Sequence, residues 1–168
     1  MPEVKVNKDL ENKTLTISCT FDAPKEKLWK AYADKEWFEK WWGPEGWQTT
    51  TKEFNFNVGG KIHYGMKCVD EKQAEWFGQE SWGLMEIEEL DAPNRFTAKD
   101  AFSNPEGSIV ENMPVQRFVV EFIEQDGKTT LLSKSICESA EQLEELVKMG
   151  MVEGFSSQLN RLETLMAE

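Results

Sequence analysis

The stretch Phe21 to Lys61, FDAPKEKLWKAYADKEWFEKWWGPEGWQTTTKEFNFNVGGK, decides the fold. Pro24 stands where a helix would begin, since its missing N–H is one of the donors a first turn leaves unpaired anyway. Leu28, Trp29, Ala31 and Tyr32 follow at helical spacing. A second short helix fits Lys35 to Trp42, and Gly43-Pro44 ends it, because glycine caps with a positive φ and proline cannot continue a helix. An extended run then sets Phe54, Phe56 and Val58 on one face and leads into Gly59-Gly60, a bulge or tight turn.

Upstream, Thr14 to Phe21 alternates strictly. Leu15, Ile17, Cys19 and Phe21 share one face and hydroxyl residues the other, as in a half-buried strand. Downstream, extended segments are expected at about Gln48 to Asn57, Lys61 to Val69, Glu75 to Leu90, Arg95 to Phe102, Val115 to Ile123 and Thr129 to Ile136. Asp70-Glu71-Lys72, Asp91 to Asn94 and Gln125 to Lys128 supply turns. From Leu143 to Met166 the period changes to about 3.6, which predicts one long helix from about Ala140 to Met166, roughly 40 Å at 1.5 Å per residue. Ser139 is its expected N-cap, with Gln142 completing a capping-box pattern. About seven antiparallel strands, two short helices after the first strand and a long terminal helix make an α+β layer arrangement.

These segments resemble the SRPBCC superfamily, and within it the branch similar to the C-terminal domain of the activator of heat-shock-protein-90 ATPase. Besides the opening stretch, the resemblance rests on Lys61 to Met66, on Asp100 to Ser103 through Gly107 to Met113-Pro114, and on Lys148 to Phe155, in the family's order and covering roughly residues 10 to 166. It implies the helix-grip, START-like fold: a curved sheet wrapped around the terminal helix. It also implies a cavity, and three functional possibilities: a holder of a small hydrophobic ligand, a co-chaperone-like activator of heat-shock-protein-90 ATPase, or a cyclase-type enzyme that uses the cavity. The chain leaves no room for the additional N-terminal domain of the eukaryotic activators, which counts against direct activation.

Composition narrows the partners. The 168 residues fit one domain, 1–168, and seven tryptophans with ten phenylalanines argue for a packed core. Acidic residues outnumber basic ones by 31 to 19, a formal charge of −12 that repels phosphate backbones and anionic lipid, so neither nucleic acid nor membrane is an expected partner. The opening MPEVKVNKDL has no apolar core of a signal sequence, which points to a cytoplasmic protein. Cys19, Cys68 and Cys137 lack metal-like spacing and are expected as small residues in strands of a reduced chain. No cofactor is implied, and the chain could be a monomer or a homodimer, since aromatic patches near Trp41 and Trp42 suit an interface as well as a pocket.

Within a sheet curled around a helix, inward side chains cannot all reach the helix, so part of the groove stays open. Trp41, Tyr64, Met66, Trp76, Met85, Phe118, Met151, Phe155 and Leu159 are the expected ligand-binding residues, because aromatics and methionines give broad contact and adapt to shape. Gly150 and Gly154 fall on the same inward stripe. Close approach of helix to sheet is the preferred reason for them, and room for a ligand beside Phe155 the sharper one. His63, the sole histidine, is expected on the outer face as a surface or edge residue, with no partner base, nucleophile elbow or HExxH pair to make it catalytic. Among the carboxylates, Glu53, Glu75, Glu80 and Glu121 are candidates for a buried acid.

Overall fold

The structure, a computed structural model, describes residues 3–168; the first two residues of the expected 1–168 domain lie outside the described residues. The strands are β1 (Lys5–Asp9), β2 (Thr14–Phe21), β3 (Trp47–Phe54), β4 (Lys61–Cys68), β5 (Glu80–Asp91), β6 (Arg95–Ser103), β7 (Val115–Gln125) and β8 (Lys128–Cys137). The helices are α1 (Lys25–Ala33), α2 (Lys35–Trp41), α3 (Ala140–Lys148) and α4 (Met151–Met166). Every pairing is antiparallel, in the order β1-β2-β8-β7-β6-β5-β4-β3. Helices α1, α2 and α4 pack over one face of the sheet, and the shared core is built on Leu28, Tyr32, Phe38, Trp41, Phe96, Ile87 and Leu159.

The alternation in β2 is realised residue by residue: Leu15, Ile17, Cys19 and Phe21 are buried while the hydroxyl residues between them are not. Asp34 separates the two short helices. It is the C-cap of α1 and the N-cap of α2, where its carboxylate accepts the Trp37 N–H at 3.1 Å. Gly43, at φ +95°, turns the chain out of α2 as the glycine-proline pair predicts.

Four expectations need correction. The sheet has an eighth strand, β1, whose side chains are almost all exposed, so it carries no alternation to read. The third strand ends at Phe54, with a register slip between Thr51 and Glu53, and Val58 points to solvent; Gly59-Gly60 does form the tight turn, with Gly59 at φ +80° and the Gly60 N–H donating to the Asn57 carbonyl at 2.7 Å. The terminal helix is broken in two. Gly150 adopts φ +90°, a left-handed conformation that no continuous right-handed helix admits, and α4 starts afresh with the Gly154 N–H bonded to the Gly150 carbonyl. Ser139 caps α3 by accepting the Gln142 N–H, but the Gln142 Oε1 has no return partner, so only half of the capping box forms.

Candidate functional site

The concave face of the sheet, α4 and the α3–α4 break enclose a cavity of about 690 Å³. Its walls are mainly apolar, with Trp42, Trp47, Tyr64, Met66, Phe118 and Phe155 among them. Six of the nine expected ligand residues line it: Tyr64, Met66, Trp76, Phe118, Met151 and Phe155. The other three do not. Trp41, Met85 and Leu159 are essentially inaccessible in the packed core, and Trp41 is fixed there by its indole N–H donating to the Ala31 carbonyl at 2.8 Å. The neighbouring Trp42 is the tryptophan at the cavity wall. It stacks on Phe38 and meets Tyr64 edge-on, while the Thr49 hydroxyl donates to its carbonyl.

The two glycines of the terminal segment differ. Gly150 is the break between helices, whereas Gly154 sits inside α4 and a Cβ built there would meet nothing within 4 Å. Close approach of helix to sheet therefore does not account for Gly154; it faces open cavity. By contrast Gly83 on β5 is a true close approach. The Tyr64 ring lies across it, 2.3 Å from where a Cβ would be, which carries the phenol inward over the sheet.

That phenol ends on an acid the glutamate candidates did not include. Tyr64 Oη donates to both carboxylate oxygens of Asp100, at 2.8 and 3.0 Å, and the Gln116 side chain also hydrogen-bonds the carboxylate. Burial pushes the Asp100 carboxyl up from 3.8 to about 7, against the lowering effect of those bonds. Although enclosed by protein, it keeps part of its surface open to the cavity. Tyr64 is held well above its ordinary value by burial and by the adjacent carboxylate. Glu53, Glu75 and Glu80 are exposed, and Glu121 is half-buried. The signal for Asp100 was present in the alternation of β6, where Phe96, Ala98, Asp100 and Phe102 share one face.

The raised carboxyl predicts a pH dependence with a definite sign. Between about pH 4 and 7 the folded protein binds a proton at Asp100 that the unfolded chain has released, so this group's contribution to stability declines as pH rises through that window. Chemical denaturation from pH 4 to 8 should show that decline in the parent and a flatter profile in Asp100→Asn. Equal slopes would place the Asp100 titration elsewhere.

His63 does lie on the outer face, but it is buried, not a surface residue. The loop after β6 folds over it: its Nε2 is 3.0 Å from the Asn104 carbonyl oxygen and its ring is 5.1 Å from that of Trp82, which covers Gly65 on the same face. Cys19, Cys68 and Cys137 are buried and unpaired in β2, β4 and β8. Among the described residues no group of three metal-ligating side chains occurs, and no helix is long and apolar enough to cross a membrane.

A curled antiparallel sheet gripping a terminal helix, with a cavity between them, defines a helix-grip, START-like protein. Residues 22–167 match the family described as activator of Hsp90 ATPase homolog 1-like protein, and the chain belongs to that family, within the SRPBCC superfamily. It is similar to protein Ms6760 from Mycobacterium smegmatis, with 33% identity over 98% of this chain and 97% of that one and a TM-score of 0.87. A protein from Arthrobacter aurescens is 28% identical over 97% of this chain and 91% of its own, with a TM-score of 0.88. An AHSA1 protein from Silicibacter pomeroyi shares the fold at 18% identity and a TM-score of 0.70, over 92% of this chain and 97% of that one. No curated protein matches the chain.

Proposed function

We propose that this protein binds a small, mostly hydrophobic molecule in the cavity between the sheet and α4. The observation that carries the reading is Gly154: a glycine inside a helix costs about 1 kcal/mol relative to alanine, and here the backbone it leaves uncovered faces open space, not a packed neighbour. Aromatic rings and methionines around that space supply contact area, and a cavity of about 690 Å³ is in the range that encloses a drug-sized molecule. The family description keeps a second reading in view, a co-chaperone for heat-shock protein 90. Pull-down with that chaperone and an assay of its ATPase separate it from the first.

Native mass spectrometry of gently purified protein tests the binding reading directly. A discrete added mass that leaves on denaturation is the expected result. A clean apo mass, together with no saturable quenching of tryptophan emission or rise in melting temperature across a panel of hydrophobic probes, would count against it.

A further inference from the structure

Building on that cavity reading, we propose that the ligand is an amphiphilic amine, its apolar body among the aromatic walls and its ammonium group seated on the Asp100 carboxylate. An acid enclosed in an apolar cavity needs a partner for its charge. The protein supplies only neutral ones, the Tyr64 hydroxyl, the Gln116 amide and the Ala101 backbone N–H. Asp100 forms none of the ion pairs found among the described residues, and the basic residue of the cavity lining, Lys148, is exposed at the α3–α4 break. A cationic ligand would provide the missing counter-charge.

The hydrogen-bonding inventory agrees. Gln116 Oε1 is a buried acceptor without a partner, beside the carboxylate that its own side chain contacts. An ammonium carries three donors and can serve Asp100 and Gln116 Oε1 together, where a hydroxyl has only one to give. Gln158 on α4 also lines the cavity, is 8% exposed, and leaves Nε2 unpartnered, a donor for an ether or carbonyl oxygen elsewhere on the ligand. Trp42, Tyr64 and Phe118 place aromatic rings in the same walls, and ring faces attract cations. The formal charge of −12 draws cations toward the protein and repels fatty-acid anions.

The neighbours of Asp100 are Tyr64 from β4, Gly83 and Met85 from β5 and Gln116 from β7, with Gln158 and Lys148 brought to the cavity by the helices. Tyr64 is held well above its ordinary value, so Asp100 is the acid in this set that gains its charge as pH rises from 5 to 8. Amine affinity should therefore strengthen over that interval.

Isothermal titration calorimetry with three matched probes tests this: 2-(1-naphthyl)ethylamine, the corresponding alcohol and 1-naphthylacetic acid. At pH 8 the amine is expected to bind saturably and at least about tenfold more tightly than the alcohol, as a charge-assisted hydrogen bond implies, with the acid weakest. The preference should shrink toward pH 5 and disappear in Asp100→Asn. Should that variant fail to fold, the pH series on the unaltered protein still decides. Alcohol or acid binding as tightly as the amine at pH 8, or an amine preference unchanged by pH or by the substitution, would overturn the amine assignment and leave the cavity reading standing. Saturable binding of none of the three would overturn the amine assignment, while the cavity reading stands or falls on the native mass and the wider probe panel.

Discussion

Gly154→Leu is expected to stabilise the protein while closing it to ligand. Within α4, leucine is favoured over glycine by about 0.8–1 kcal/mol of helix propensity, and nothing stands within 4 Å of the new Cβ to oppose it. The side chain would enter the cavity and cover apolar wall that a ligand would otherwise cover. Melting temperature should rise by about 2–4 °C, on the usual scaling for a chain of this size. Affinity for a cavity-filling probe should fall by at least about tenfold, because a ligand forced against an added side chain meets an overpacking cost of about 1–3 kcal/mol. Calorimetry and a thermal melt on the same sample read both effects. Lower stability with unchanged affinity would mean that α4 packs closely at Gly154 and that ligand sits elsewhere. Gly154→Ala separates propensity from volume: it should gain most of the stability and lose little affinity.

The contrast between Gly150 and Gly154 marks where sequence reading stops. Both fall on the inward stripe of the terminal segment, and a residue string gives no φ. One is left-handed at +90° and breaks the helix; the other is an ordinary helical residue over a void. Periodicity was sufficient where each face of an element meets a different environment, as in β2, and failed for β1, which is wet on both faces. Adjacent Trp41 and Trp42 pose the same difficulty. They leave the end of α2 in different directions, and only the packing of Tyr32 and Phe38 against them settles which enters the core and which faces the cavity. Asp100 was legible in β6, since alternation places it with Phe96 and Ala98 on the inward face. For His63 alternation gives the face but not the exposure, because a loop without periodicity gives no sign of what it covers.

Arg161→Met is expected to cost about 3 kcal/mol of stability, near the upper end for a single substitution. From the side of α4 this guanidinium reaches the turn between α2 and β3. Its Nη2 donates to the Lys40 carbonyl at 2.9 Å, and its Nη1 to the Gly43 carbonyl at 2.7 Å, with Trp42 and Trp47 each at 3.2 Å and Pro44 at 3.4 Å. The C-terminal carbonyls of a short helix and the turn after it thus find their donors on another element, which ties α2 and the cavity-wall residues Trp42, Pro44 and Trp47 to α4. Partial burial lowers the guanidinium below its ordinary value, but it stays charged at neutral pH, and methionine would keep the stem's packing while removing every donor. A loss of about 3 kcal/mol corresponds to about 6–12 °C in melting temperature for a chain of this length. Arg161→Lys should recover only part of it, since a single ammonium cannot span carbonyls spread over the turn as the planar fork does. If the lysine variant matches the parent, positive charge near Glu45 rather than the fan of carbonyl bonds is what holds the turn. If the methionine variant matches it as well, water satisfies those carbonyls and the cavity wall stands without the clamp.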